Sequence, residues 1–209
     1  MTNALDNVAK TRQHLEGVHS RCSALTRWIL NETGPLKVVE IGTSYGRQLQ
    51  TFAGQCSKLI CIDAMYDWVP DVMEHEGHEK ERVDEKKLAE WKKNAASFNA
   101  ELIIGNSFHV ANDEAYAEKL RDTNLLIVDG CHHPGELVAK DYENFLKYMS
   151  DPHYVVWDDL YMGDVLKGIV IAKELLRSRG YEYHELTVDG ALAMYVKGPR
   201  SVNGSTRPS

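Results

Sequence analysis

A short apolar run that leads directly into a glycine turn constrains this chain more than any other feature. Residues 38–41 read Val-Val-Glu-Ile, and Gly42 and Gly46 bracket the turn that follows. A second apolar run, residues 59–62, ends at the carboxylate of Asp63, about 20 residues after Gly42. This spacing is typical of a βαβ unit that binds a nucleoside, in which the acid accepts hydrogen bonds from ribose hydroxyls.

Strand-like apolar segments alternate with amphipathic, helix-like segments along most of the chain. The strand-like segments are short and rich in Val, Ile and Leu, as in strands covered on both faces. Predicted strands cover residues 37–42, 58–62, 101–104, 124–128 and 153–158, and predicted helices cover residues 4–31, 45–54, 84–99, 134–149 and 164–179. This alternation predicts an α/β fold with a doubly wound, mostly parallel sheet.

The C-terminal part departs from this alternation. Residues 181–188 and 191–196 are predicted strands joined by Asp189-Gly190, a pair typical of a tight hairpin. The sheet is therefore predicted to have seven strands and to close with an antiparallel hairpin. We expect a helical extension over residues 1–35, one domain over residues 36–197 and a disordered tail over residues 198–209, which is polar and lacks periodicity.

Charge and composition argue against several classes of partner. The chain has 24 basic and 31 acidic residues and a formal net charge of −7, so neither nucleic acid nor an anionic membrane is expected as the main partner. No apolar run approaches the roughly 20 residues that span a bilayer, and no secretory signal is visible. The 4 cysteines form no Cys-x-x-Cys pair. We therefore expect reduced thiols in a cytoplasmic protein.

Acidic residues close two later predicted strands. Asp129 follows the strand at 124–128, and the pair Asp158-Asp159 lies at the end of the strand at 153–158. Open α/β sheets bind their ligands at these carboxyl ends. Three carboxylates at one edge repel one another unless they share a proton or a cation, and their oxygen atoms suit a hard divalent ion such as Mg²⁺. In the alternative, Asp159 caps the next turn and Asp158 forms a salt bridge, without a metal.

Four successive motifs resemble those of the class I S-adenosylmethionine-dependent methyltransferases. They are Glu40-Ile41-Gly42-Thr43-Ser44-Tyr45-Gly46, Asp63, Gly105-Asn106-Ser107 and the strand from Leu125 to Gly130. The resemblance covers about residues 36–197 and implies a Rossmann-like fold that binds S-adenosylmethionine. It implies that the turn after Glu40 faces the methionine part of the cofactor, that Asp63 binds the ribose, and that Asn106 and Ser107 lie near the adenine. Asn106 stands where this family more often has an aspartate.

The acidic residues resemble those of the metal-dependent O-methyltransferases, both the catechol type and the macrocin and novobiocin tailoring type. In these enzymes an aspartate after the fourth strand and an acidic pair after the fifth hold Mg²⁺, which implies Asp129, Asp158 and Asp159 as metal ligands. The tailoring enzymes often read Asp-Gly-Asp-His where this chain reads Asp129-Gly130-Cys131-His132. The resemblance implies that Asp129 and His132 are catalytic, because His132 stands where the catechol type carries its catalytic lysine. An imidazole there could act as the general base near neutral pH. In the alternative, His132 only packs or caps a helix.

The resemblance implies O-methylation of a hydroxylated small molecule, such as a catechol, a sugar or a natural product. Three alternatives stay open: a metal-independent methyltransferase, a non-catalytic S-adenosylmethionine-binding protein and a nicotinamide-dependent oxidoreductase. The last is disfavoured because Arg47 stands where a dinucleotide-binding turn has glycine. Tyr66, Trp68 and residues 161–163 are candidates for the rim of the substrate pocket. The amphipathic N-terminal helices also leave a homo-oligomer open.

Overall fold

A computed structural model describes residues 21–65, 83–130, 133–188 and 190–199 of the chain. Its strands are β1 (Lys37–Ile41), β2 (Lys58–Asp63), β3 (Ala100–Ile104), β4 (Thr123–Val128), β5 (Met149–Trp157), β6 (Glu182–Val188) and β7 (Ala191–Lys197). They form one seven-stranded sheet in the order β3-β2-β1-β4-β5-β7-β6. The pairs among β1 to β5 are parallel, whereas β7 runs antiparallel to both β5 and β6. The predicted α/β fold with a terminal antiparallel hairpin is confirmed.

Helices of the described residues connect these strands. They are α1 (Arg21–Thr33), α2 (Leu49–Phe52), α3 (Glu85–Ala95), α4 (Ser107–Asn112), α5 (Glu114–Leu120), α6 (Gly135–Leu146) and α7 (Gly163–Ser178). The predicted N-cap of α3 is confirmed, because the Asp84 carboxylate accepts hydrogen bonds from the backbone N–H groups of Lys86 and Lys87. Within the described residues, none of the helices has both the length and the apolar character needed to cross a membrane.

Both faces of the sheet are buried, which explains the continuous apolar runs of its central strands. Alternate residues of β1 serve opposite faces. Val38 belongs to a core cluster that includes α1 residues such as Leu25 and Ile29. Val39 belongs to a second cluster that includes Val138 of α6 and residues of α7. Helices therefore cover the sheet on two sides, and its carboxyl edge remains the place for a ligand.

The helix predicted over residues 45–54 is largely wrong. Only Leu49–Phe52 is α-helical, and one 3₁₀ turn, Ala53–Gln55, follows it. The preceding residues form turns, in which the N–H of Gly46 donates to the carbonyl of Thr43 at 2.9 Å. A helix this short leaves no strong helix dipole for an anionic group, so that part of the sequence-based expectation is corrected.

Two other segments also differ from expectation. β5 begins at Met149 instead of residue 153 and includes Pro152, which the strand tolerates because its pairing with β4 shifts register between Thr123 and Leu125. The short helices α4 and α5 occupy a stretch for which no helix was predicted.

Candidate active site

The ends of β1, β4 and β5 lie level with one another. Ile41, Val128 and Trp157 are neighbours in the register of the sheet. Beyond them, the backbone N–H of Asp129 donates to the carbonyl of Ile41 at 3.0 Å, and that of Asp158 donates to the carbonyl of Val128 at 3.3 Å. The glycine turn and both acidic segments therefore leave the sheet at the same edge, as the sequence predicts.

Gly42 allows the turn after β1 to touch the end of β4. Its φ angle is +85°, in the left-handed region, and a Cβ atom at this position would lie 2.0 Å from the carbonyl oxygen of Asp129. A side chain is excluded on both grounds. Gly42 therefore fixes the distance between the turn and the first acidic residue.

Gly46 allows the turn to pack closely against α3. The approach of a ligand to its backbone stays a prediction, and a Cβ atom there would lie 2.8 Å from Cδ1 of Trp91. The space left by the missing side chain is occupied by the indole of α3, so Gly46 serves the packing of the turn against that helix.

Asp63 joins the end of β2 to the glycine turn. Its Oδ2 accepts a hydrogen bond from the backbone N–H of Ser44 at 2.8 Å, and its Oδ1 accepts one from the N–H of Met65 at 2.6 Å. The ammonium group of Lys87 lies 3.1 Å from Oδ1. The carboxylate is thus held by three donors at the position where the sequence predicts a ribose-binding acid.

Side chains on one face of α3 form hydrogen bonds to the turn. Trp91 Nε1 donates to Thr43 Oγ1 at 3.1 Å, and Asn94 Nδ2 donates to the carbonyl of Tyr45 at 2.8 Å. Together with Lys87, these residues repeat at helical intervals and point the same way. The ring of Tyr45 also lies under the Arg47 guanidinium, 4.9 Å from its centroid. The turn is therefore held in one conformation before any ligand binds.

Glu40 lies beneath the turn and is buried, with only 1% of its surface exposed. Burial raises the pKa of its carboxyl from 4.5 to about 7, although hydrogen bonds from Thr43 and Cys61 oppose the shift. The Cys61 thiol lies 3.5 Å from Glu40 Oε2. The side chain of this predicted cofactor residue therefore lies in the interior of the protein, where it accepts a hydrogen bond from Thr43 of the turn.

The segment after β3 is built by two local contacts. Asn106 caps α4, because its side-chain oxygen accepts from the N–H of Phe108 at 2.9 Å. Ser107 donates to the buried carboxylate of Asp141 on α6 at 2.5 Å. Both predicted adenine-side residues thus have structural partners, and the exposed Ile104 just before them offers an apolar surface at the same edge.

Two successive hydrogen bonds connect Asp129 to α1. Gln48 Nε2 donates to Asp129 Oδ2 at 2.9 Å, and Ser23 Oγ donates to Gln48 Oε1 at 2.6 Å. The hydroxyl of Ser23 therefore fixes which end of the Gln48 amide faces the carboxylate. The N-terminal part of the chain is thereby coupled to the acidic edge.

The pair Asp158-Asp159 shapes the loop after β5. The N–H of Asp159 donates to Asp158 Oδ1 at 2.9 Å, and Asp159 has a positive φ of 56°. A hydrogen bond to Asp159, together with the charges of Asp159, Asp158 and Asp129, raises the pKa of Tyr161 to about 12. All three carboxylates therefore act on one phenol, which is 78% exposed at the rim of the edge.

The predicted magnesium ligands share this edge, but they are not gathered around a common point. Among the residues that the structure describes, no group of three His, Cys, Asp or Glu side chains is arranged to hold a metal ion. One oxygen of Asp129 and one of Asp158 also accept the bonds given above. The oxygen donors suit Mg²⁺ in kind, but the arrangement does not fit a three-carboxylate site.

The predicted base His132 lies outside the described residues, as do Cys131, Tyr66 and Trp68. The neighbouring His133 is described, and its ring Nδ1 contacts the carboxylate of Asp164 at the start of α7. This contact lowers the pKa of the Asp164 carboxyl. The residue just before Pro134 is thus tied to the start of α7.

Sequence reasoning missed three residues of this edge: Gln48, Lys87 and Ile104. Gln48 and Lys87 are polar residues on or beside helices, which are usually solvated, and only the folded chain shows that they contact Asp129 and Asp63. Ile104 could have been found from the sequence, since it is the last residue of its strand and directly precedes the Gly105-Asn106-Ser107 motif.

A family of methyltransferase domains matches residues 39–160, more than half of the chain. The chain belongs to this family. The sequence of the methyltransferase matches none of the curated proteins. The predicted resemblance to the class I methyltransferases is confirmed.

Solved structures with the same fold include methyltransferases of more than one kind. An O-methyltransferase from Bacillus cereus, solved in complex with SAH, is 15% identical, with a TM-score of 0.63 and coverage of 94% of this chain and 91% of that chain. The O-methyltransferase TomG from Streptomyces achromogenes, involved in tomaymycin synthesis and solved with SAM, is 15% identical, with a TM-score of 0.61 and coverage of 95% and 91%. The N-methyltransferase NodS from Bradyrhizobium japonicum is 12% identical, with a TM-score of 0.54 and coverage of 94% and 99%. At these identities the likeness shows the fold.

Proposed function

We propose that this methyltransferase transfers a methyl group from S-adenosylmethionine to a hydroxyl group of a small molecule. The proposal rests on Asp63, because its carboxylate is bonded to Ser44 of the glycine turn at 2.8 Å. Acid and turn therefore form one rigid unit at the sheet edge where α/β proteins bind nucleosides.

Methyl transfer to a hydroxyl group requires two things of the chain. S-adenosylmethionine supplies an electrophilic methyl group on a sulfonium: a bond forms between the acceptor oxygen and the methyl carbon, and the carbon–sulfur bond breaks with its electron pair going to sulfur. The chain must hold the acceptor oxygen in line with that bond and must remove the hydroxyl proton. We assign the removal of this proton to His132, which follows Asp129 by three residues.

A small, hydroxylated acceptor is consistent with the rim of the edge. Tyr161 presents an exposed aromatic ring beside the acidic residues, and aromatic rings stack well on phenols and on the apolar faces of sugars. The net charge of −7 disfavours a nucleic-acid acceptor.

Magnesium is a separable part of the proposal. Its support is electrostatic, since Asp129, Asp158 and Asp159 all act on Tyr161 and a cation would relieve their repulsion. The bond from Gln48 to Asp129 favours the second candidate, a metal-independent methyltransferase in which an amide holds that carboxylate without an ion.

The test is transfer of a labelled methyl group from S-adenosylmethionine to a panel of catechols, phenols and sugars, with Mg²⁺ or with excess EDTA. Label on a hydroxyl oxygen supports the proposal, and exclusive labelling of amines in a matched panel would contradict it. Loss of transfer in EDTA, restored by Mg²⁺, supports the metal-assisted form. Equal rates in EDTA would establish the metal-independent form.

The role of His132 is tested with His132→Asn and with a control, His184→Asn, on the exposed side of β6. We expect kcat to fall by about 100-fold in the first variant, with little change in the affinity for S-adenosylhomocysteine. The control should retain the wild-type rate. An unchanged kcat in His132→Asn would show that His132 is not the general base.

A further inference from the structure

The ion pair between Lys87 and Asp63 is unusually sheltered for a surface helix. The side chains of Lys87 and Asp63 are only 13% and 10% exposed. Long side chains usually keep their ammonium groups in water, yet this one ends 3.1 Å from the carboxylate that the proposed function assigns to the ribose.

Lys87 is held in place at the start of α3. Its own backbone N–H donates to the N-cap Asp84 at 3.2 Å, and the N–H of Asp84 donates to the carbonyl of Met65 at 2.7 Å. Met65 follows Asp63 by two residues, so the start of the helix is bonded directly to the end of β2. Four residues after Lys87, Trp91 fastens the same helix to the turn.

The donors around Asp63 leave little capacity for a ribose. A carboxylate offers about four acceptor positions. In the described part of the chain, Met65 and Lys87 take both positions on Oδ1, and Ser44 takes one on Oδ2. One ribose hydroxyl can therefore donate to Oδ2, but a second one needs another partner.

We propose that Lys87 is that partner, a cofactor-binding residue that donates to the oxygen of one ribose hydroxyl while Asp63 accepts from the other. An ammonium group carries three N–H donors, so Lys87 can bond to Asp63 and to a hydroxyl oxygen at the same time. The ribose of S-adenosylmethionine would then be read by an acid and a base together. This inference rests on the proposed function, because it assumes that the cofactor's ribose binds at Asp63.

The test is isothermal titration with S-adenosylhomocysteine, which needs no knowledge of the acceptor. We expect Lys87→Met to weaken binding about tenfold, the effect of one charge-assisted hydrogen bond. Lys86→Met is the matched control, since Lys86 is the exposed neighbour on the same helix, and its affinity should stay within about twofold of wild type. If Lys87→Met does not fold, Lys87→Leu takes its place with the same expectation, since leucine also lacks a donor.

A ribose-specific readout separates this role from a general effect on the site. Analogues of S-adenosylhomocysteine that lack the 2′- or the 3′-hydroxyl are titrated against both proteins. One of them should bind wild type about tenfold more weakly than the parent compound, yet bind Lys87→Met as well as the parent does. That pattern supports a direct bond between Lys87 and that hydroxyl.

Three results would overturn the inference. Tighter binding to Lys87→Met would show that the lysine competes with the ribose and is displaced. Unchanged binding would show that it does not take part. Additive losses in variant and analogue would show that it acts only through Asp63. In all three cases wild type still binds, whereas a wild type that does not bind S-adenosylhomocysteine would contradict the proposed function itself.

Discussion

Replacing Glu40 with glutamine should change how stability depends on pH. In the folded protein, burial raises the pKa of the Glu40 carboxyl from 4.5 to about 7. The folded state therefore holds a proton that the unfolded state has lost between these values. The stabilising contribution of the protonated group is complete below pH 4.5 and is lost as the pH rises through 7, by about 3 kcal/mol in total.

Glutamine remains neutral over this range, so Glu40→Gln does not lose stability in this way. The amide fits its two neighbours differently from the carboxyl, which adds a constant offset to the free energy of unfolding. The informative quantity is the difference between variant and wild type. It should shift in favour of glutamine by about 3 kcal/mol between pH 4.5 and pH 8.

Urea unfolding followed by tryptophan fluorescence at half-unit pH steps measures this difference. Glu174→Gln on the exposed face of α7 is the control, and its curve should run parallel to that of wild type. Parallel curves for Glu40→Gln as well would refute the reasoning, because they would show that Glu40 titrates in the folded state as it does in water.

Three further predictions concern stability and cofactor binding. Burial lowers the pKa of His153 from 6.5 to about 4, so its contribution is complete above pH 6.5 and about 3 kcal/mol is lost as the pH falls through 4; His153→Gln should flatten this loss in the same urea series. Gly168→Ala should lower the free energy of unfolding by about 1–3 kcal/mol, since its Cβ would lie 2.6 Å from the facing helix. At the control position Gly163, a Cβ meets nothing within 4 Å among the described residues, so Gly163→Ala should lower it by less than about 0.5 kcal/mol. Equal losses in thermal unfolding would contradict the packing argument. Gly42→Ala should unfold the turn or abolish S-adenosylhomocysteine binding, because its Cβ would overlap the carbonyl of Asp129; wild-type affinity in a calorimetric titration would contradict this.

The sheet was predictable because burial on both faces leaves a direct record in the sequence. β1, β2 and β4 are short, mostly apolar runs, and their predicted bounds agree with the structure to within one residue. The hairpin was predictable from two strand-like segments joined by Asp189-Gly190. β5 was predicted too short, because Pro152 and its polar neighbours argue against a strand unless the register shift beside them is known.

The contacts within the site were much less predictable. The sequence identifies Asp63 and Asp129 by their places at strand ends, but not the Lys87 and Gln48 side chains that bond to them. These contacts depend on how α3 and the turn are rotated against the sheet, which local periodicity does not record. For the same reason the sequence does not show that Gly46 packs against the indole of Trp91.

A crystal structure of the methyltransferase with S-adenosylhomocysteine would locate the ribose directly. We expect the ribose hydroxyls within about 3 Å of Asp63 and Lys87, with the methionine part directed toward the Gly42–Gly46 turn and the sulfur toward Asp129. A ligand bound elsewhere, or a ribose that makes no contact with Asp63, would contradict it.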